Sequence, residues 1–278
     1  MMRSIEETSV FLENLARTGS YRTPPERLGK RRRNGLLTSF EFNLRGPIQT
    51  IVRGAKLAKK GLFDNDRWQE CGLHLLWEAE RMGTEVILEG FERLKGIGPA
   101  VLVGNHMSLY ETFVFPPLML PFNETAIVLK ASLLRAPLLG LTLSTRKTIA
   151  VGRTDPRADL KTVLARGEEM LRDEKCSVLL YPQGTRQPFF DVHHFNTLGI
   201  KLAQNAEVPI VPIAAQTAFL GVGKYTKDFG PVNTDIPVRF AVGDPITVTR
   251  ATAKAAHAQC IDFIASKLEA WGKIEVRR

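Results

Sequence analysis

The stretch PAVLVGNHMSLYETF, residues 99–113, decides the fold. It opens as a short apolar run, passes through Gly104, and turns into mixed sequence carrying Ser108 and Glu111. A brief unbroken apolar run reads as a strand buried on both faces, and the Ser-x-x-Glu spacing after it is a helix-start signature. The stretch is thus a strand, a tight exit and a helix start in succession, the unit from which α/β folds are built.

Outward from there the alternation recurs. Strand-like runs fall at 85–90, 126–130, 148–152, 177–182, 208–215 and near 237–242, with helical patterns at 109–120, 158–173, 196–206 and 251–271. This order predicts an α/β fold with a mixed, largely parallel sheet flanked by helices, preceded by a helical N-terminal region. Pro209 and Pro212 within VPIVPIAA (208–215) predict an edge or interrupted strand, because proline donates no ladder hydrogen bond.

Upstream, DRWQECGLHLLWEAERMG (66–83) places Asp66 at a helix N-cap with Gln69 three residues on, and its lone His74 reads as structural. GPIQTIVRGAKLAKKGLF (46–63) predicts a basic amphipathic helix with Pro47 at its first position. Ile48, Ile51, Val52 and Ala55 share one side, which suits either packing on the parent domain or an interfacial anchor on anionic lipid. RTPPERLGKRRRNG (22–35), with two prolines, two glycines and six basic residues, reads as a solvated linker. The expected organisation is an N-terminal segment and linker over 1–45, a helical, membrane-associating region over 46–83, and an α/β domain over 84–278.

A chain with 44% hydrophobic and 24% charged residues is globular, which excludes the disordered classes. Cys71, Cys176 and Cys260 are far apart and form no metal-ligand spacing, so no disulfide framework or metal is expected and a reducing cytoplasm fits. The net charge of +9 favours anionic partners. A nucleic acid is not expected among them, because no aromatics interleave the GKRRR cluster. The N-terminus lacks an apolar signal core. The most apolar stretch, SLLRAPLLGLTLST (132–145), is short of the roughly 20 residues a span needs, so membrane attachment is expected to be peripheral.

On one regular helix, His106 and Glu111 would lie about 140° apart, since each residue turns roughly 100°. They meet only if His106 sits on the loop leaving the strand and Glu111 in the first helical turn. Glu111 then has two roles open to it: orienting His106 as a general base, or closing a capping box with Ser108.

Four motifs in order resemble the glycerolipid acyltransferase family, whose members include lysophosphatidic acid acyltransferase. NHMSLYE (105–111) is similar to the family's Asn-His-x4-Asp, with glutamate in the aspartate's place. KTIAVGR (147–153) resembles its strand ending in arginine, YPQGTR (181–186) its Pro-Glu-Gly-Thr-Arg with glutamine for glutamate, and VPIVPIA (208–214) its proline-flanked strand. The resemblance implies a catalytic pair, His106 and Glu111, and an acceptor site of Asn105, Arg153, Gln183, Gly184, Thr185 and Arg186. The two arginines would hold phosphate, for which guanidinium is suited, and a backbone amide near Gly184 is a candidate oxyanion donor.

The implied reaction moves a fatty acyl group from acyl carrier protein or acyl-CoA to the free hydroxyl of a lysophospholipid, 1-acylglycerol-3-phosphate foremost, in phospholipid biosynthesis. It needs no cofactor beyond the acyl donor, and it places the protein in the cytoplasm, peripherally on the anionic inner face of the membrane, with the basic helix 46–63 and the linker 22–35 as the candidate membrane-facing surface. Gln183 leaves a different lysolipid or an amino-acid lipid open as acceptor, and the two replacements leave open a noncatalytic lipid-binding relative. His193 and His194 are adjacent on an extended loop, so they point apart and read as cleft-mouth or solvent residues.

Overall fold

The computed structural model describes residues 4–223 and 228–278. In chain order the strands are β1 (Tyr21–Arg22), β2 (Val86–Glu89), β3 (Val101–Gly104), β4 (Thr125–Lys130), β5 (Thr148–Val151), β6 (Ser177–Leu180), β7 (Phe189–Asp191), β8 (Ile210–Gln216), β9 (Val238–Val242) and β10 (Glu275–Arg277). The helices are α1 (Ile5–Thr18), α2 (Leu36–Asn43), α3 (Gln49–Lys59), α4 (Asn65–Arg81), α5 (Tyr110–Met119), α6 (Leu139–Leu143), α7 (Pro156–Arg172), α8 (Leu198–Ala206) and α9 (Ala253–Trp271). Eight strands form one sheet in the order β1-β2-β9-β8-β3-β6-β4-β5. Its pairs are parallel except β1–β2 and β8–β9, which matches the fold class expected from the sequence.

The apolar run of the opening stretch is β3, flanked by β6 and β8. Leu102 packs into a core with Phe11, Leu76, Tyr110 and Phe115 from α1, α4 and α5. Val101 and Val103 point into the opposite core, with Val163, Leu202 and Ile264 of α7, α8 and α9. Burial on both faces is why the strand reads as unbroken apolar sequence instead of an alternation.

β8 corrects one expectation. It is neither an edge strand nor interrupted; it lies between β9 and β3, and all seven of its residues are buried. The Ile210 amide donates outward to the Ile246 carbonyl, so Pro212, two residues on, turns its ring nitrogen to that same side. There the β9 ladder has ended at the Ile213↔Val242 pair, and the Gly243 amide bonds the Pro212 carbonyl. No ladder bond needs the missing N–H.

The helix expected from residue 46 begins ten residues earlier, at Leu36, and Pro47 lies inside it. Residues Leu44–Ile48 widen into a π turn in which the Gln49 amide reaches back to the Leu44 carbonyl. A proline within a helix removes a hydrogen bond and crowds the preceding turn, and the wider turn accommodates it. The displaced Arg45 carbonyl is taken up by Nε2 of buried His74 on α4, at 2.7 Å. His74 is thereby structural, and burial pushes its pKa down, favouring the neutral ring.

α4 itself is capped by Asp64 and not Asp66, because it is Asp64 whose carboxylate accepts the Arg67 amide. On α3, Ala55 is buried and Ile51 and Val52 are half-buried against the domain. The most exposed large apolar residues lie instead on α2, where Leu36 is 90% exposed, Leu37 86% and Phe40 68%. The 22–35 segment is irregular beyond β1, yet it is stitched to the domain by the Gly29 amide on the Glu80 carbonyl and the Arg32 amide on the Met82 carbonyl.

Helices α4 and α5 cross at Gly72, where a Cβ would lie 2.4 Å from Pro117 Cγ and 2.7 Å from the Phe113 carbonyl oxygen. Gly72→Ala is expected to destabilise by about 1–3 kcal/mol, the usual cost of overpacking, and to lower the thermal midpoint by several degrees. A calorimetric midpoint equal to wild type would contradict the crossing.

Candidate active site

The centre of the site stands at the carboxyl end of β3, where parallel α/β sheets present their ligands. His106 lies on the five-residue step, 105–109, between β3 and α5, and Glu111 is the second residue of α5. This change of direction brings them together: His106 Nδ1 is 2.8 Å from Glu111 Oε1. Glu111 is 1% exposed, whereas the His106 side chain keeps 14% exposure.

The buried carboxylate accepts further hydrogen bonds from the Met107 amide at 2.6 Å, the Ser108 amide at 2.8 Å, the Ser108 hydroxyl at 2.9 Å and the Thr217 hydroxyl at 2.5 Å. Burial by itself would raise the Glu111 pKa. The bond and charge of His106, the Thr217 hydroxyl and the Ser108 amide outweigh it and hold the carboxyl below its ordinary value. An ionised carboxylate only accepts, so Nδ1 carries the proton of the neutral ring. Nε2 is then the basic nitrogen, and it has no hydrogen-bond partner among the described residues. Tyr181 stacks on the imidazole with centroids 4.4 Å apart and planes 13° from parallel, fixing the ring plane.

Both roles open to Glu111 are filled at once. It reaches back to the Ser108 amide as a capping-box glutamate does. The reciprocal arm differs, because the Ser108 hydroxyl accepts from the Tyr110 amide and donates to Glu111.

The other expected residues separate into three groups. Asn105 is 1% exposed, and its amide clamps the end of β3 to β8, with Nδ2 on the Ala215 carbonyl at 2.7 Å and Oδ1 on the Ala215 amide at 2.8 Å. Gln183 Oε1 accepts the His106 amide at 2.8 Å, so both side chains brace the loop that carries His106. Gly184, with φ of +70°, turns the chain after β6, and its amide is engaged by the Tyr181 carbonyl, so the oxyanion role expected near Gly184 does not fall to its own N–H. Thr185 is exposed, and Arg186 Nη2 pairs with Asp228 Oδ1 at 2.7 Å. Arg153 is exposed beyond β5, and it lines a groove of about 520 Å³ with Tyr181, Gly184 and Lys201. His193 and His194 are exposed, with Asp191 accepting from the His193 amide and sitting 2.8 Å from His194 Nδ1, away from this cluster.

The sequence alone does not single out Thr217 or Tyr181. Tyr181 lies within YPQGTR and directly follows β6, which pairs with β3, so the motif itself held the signal. Thr217 is 106 residues from Glu111, and only the β3–β8 register brings it close.

Residues 85–216 match the acyltransferase family model, and this stretch contains the His106–Glu111 pair. Among curated relatives, the chain is 37% identical over 116 residues to a 1-acyl-sn-glycerol-3-phosphate acyltransferase of Pseudomonas aeruginosa, covering 42% of this chain and 44% of that one. It is 24% identical over 177 residues to the protein of that name from Haemophilus influenzae, covering 63% and 70%. The chain thus spans less than half the length of the Pseudomonas relative. The crystal structure of the 1-acyl-sn-glycerophosphate (LPA) acyltransferase PlsC from Thermotoga maritima superposes with a TM-score of 0.57 at 20% identity, over 85% of this chain and 97% of that one, and shares the fold.

Because the folded-state pKa of Glu111 is depressed, its stabilisation is present above the ordinary glutamate range and is lost as pH falls through the folded value. Glu111→Gln is expected to cost about 2 kcal/mol at pH 7, the scale of hydrogen bonds to a charged group. The gap from wild type should narrow in acid as the wild-type carboxyl protonates. Denaturant titrations between pH 7 and pH 3 that gave a constant gap would contradict an ionised Glu111.

Proposed function

We propose that the protein is an O-acyltransferase that moves a fatty acyl group from a thioester to the free hydroxyl of a lysophospholipid, with 1-acylglycerol-3-phosphate as the foremost acceptor. The observation that carries this reading is the His106–Glu111 pair with Nε2 open, inside the stretch that matches the acyltransferase family model. Nε2 takes the proton of the acceptor hydroxyl as its oxygen bonds to the thioester carbonyl carbon, and Glu111 balances the imidazolium. The tetrahedral intermediate then collapses, the carbon–sulfur bond breaks, and the proton on Nε2 passes to the leaving thiol. With the Gly184 amide engaged, the next amide, of Thr185, is the candidate oxyanion donor.

The names of the relatives support the acceptor, and Arg153 and Lys201 on one groove suit its phosphate. For the hydrocarbon, Leu109 and Phe113 flank Glu111 in sequence and line an apolar cavity of about 70 Å³ with Trp68, Ile127 and Leu129. The donor is a pantetheine thioester, borne by acyl carrier protein or coenzyme A, and the net charge of +9 suits either.

The same reading includes an anionic membrane surface. Among the described residues no helix is long and apolar enough to cross a membrane. Leu36, Leu37, Phe40 and Leu44 are all exposed, and at helical spacing they fall within about 100° of arc. Exposed Lys30, Arg31, Arg32 and Arg33 immediately precede them. An apolar stripe beside a basic cluster suits the interface of anionic lipid. The docking element is thus α2 with the 22–35 segment, not the helix over 46–63.

Purified protein, a panel of lysolipids and either donor test the chemistry. Wild type should acylate at least one lysolipid, and His106→Ala should lower kcat by about a hundredfold or more, the scale of a general base. No acylation of any lysolipid by wild type would overturn the proposal. For the membrane, Leu37→Glu/Phe40→Glu should weaken sedimentation with phosphatidylglycerol vesicles by about tenfold or more, in line with the apolar area withdrawn. Undiminished binding would refute the stripe.

A further inference from the structure

The role of Thr217 rests on the proposed acyl transfer and begins with the carboxylate of Glu111, which has two distinct sides. Oε1 faces His106 Nδ1 and the Met107 and Ser108 amides, at 2.8, 2.6 and 2.8 Å. Oε2 faces the hydroxyls of Ser108 and Thr217, at 2.9 and 2.5 Å, and shares the Ser108 amide at 3.1 Å. All but Thr217 come from residues 106–108, next to Glu111 in the chain. Thr217 arrives from the far side, on the segment that follows β8, and is 0% exposed.

The hydroxyl protons can be assigned. Ser108 Oγ accepts from the Tyr110 amide, and its single proton has Glu111 Oε2 at 2.9 Å or Thr217 Oγ1 at 3.2 Å as acceptors. The single Thr217 proton goes to Glu111 Oε2. A buried hydroxyl with a charged acceptor makes a strong bond and is costly to leave unpaired.

We infer that Thr217 is a positioning residue for the acyl-transfer step: its hydroxyl holds Oε2 so that Oε1 stays on Nδ1 of His106, and it is matched to a glutamate at position 111. His106 and Thr217 bracket opposite oxygens of one carboxylate. An aspartate would draw that carboxylate back by about one carbon–carbon bond, near 1.5 Å, and a hydrogen bond does not survive such a lengthening. The shorter side chain keeps one bracket and loses the other. The long-range hydroxyl thus accounts for a glutamate working in this position.

A double-mutant cycle on the full chain, with wild-type acyl transfer to the best lysolipid as reference, tests this. Thr217→Val should lower kcat about tenfold or more with KM within about twofold, the scale of one hydrogen bond to a charged group. Thr217→Ser should return kcat to within about threefold of wild type. Glu111→Asp alone should also lose activity, and adding Thr217→Val to it should cost less than about twofold more. The inference is overturned if Thr217→Ser is as impaired as Thr217→Val, if Glu111→Asp matches wild type, or if Thr217→Val costs the same factor in both backgrounds. Wild type that acylates no lysolipid would count against the acyltransferase reading itself, a different outcome from any of these.

Discussion

The buried carboxylate of Glu111 is the constraint on which the rest of the site depends. A charge 1% exposed to water is costly unless it is fully bonded. Here five donor groups meet it: His106 Nδ1, two backbone amides and two hydroxyls. Four of them come from residues 106–108 beside Glu111, and the fifth, Thr217, reaches it only if β3 lies beside β8 in the observed register, with Gly104 opposite Ile213. Asn105 locks that register from the side, bonding both the amide and the carbonyl of Ala215. The central sheet, the loop and the helix start are therefore all conditions for one histidine tautomer.

Much of the fold was legible in the sequence, and the reason is burial. Strands covered on both faces must be apolar throughout, so runs such as Val101–Gly104 and Ser177–Leu180 announce themselves without a partner. The illegible parts are those whose conformation depends on a distant group. Pro212 predicted an edge, but where a neighbouring strand ends is a property of β9 and cannot be read within 208–215. Pro47 predicted a helix start, but the orphaned Arg45 carbonyl is met by His74, 29 residues away. A two-residue strand such as β1 holds too few residues to show a period at all.

The site divides along the same line. His106 and Glu111 were legible because five residues across a strand-to-helix turn is a local geometry. Gln183 and Asn105 were found as members of motifs, yet their side chains brace backbone: one accepts the His106 amide and the other joins two strands. Residues named for their place in a motif thus brace the loop that carries His106. Thr217 lies in no motif, and only the sheet register puts its hydroxyl against Glu111. The basic cluster at 30–33 was legible from composition, whereas the exposure of Leu36, Leu37 and Phe40 just after it is set by packing and was not.

The central claim is that ionised Glu111 holds the proton of the neutral His106 ring on Nδ1 and leaves Nε2 as the base. Nitrogen-15 NMR of ring-labelled protein at basic pH, with His106→Ala to assign the resonance, measures the tautomer directly. A protonated-type signal at Nδ1 and an unprotonated, imine-type signal at Nε2 are expected for His106. An imine-type signal at Nδ1 with the proton on Nε2 would contradict the Glu111 contact as the organising interaction of the site.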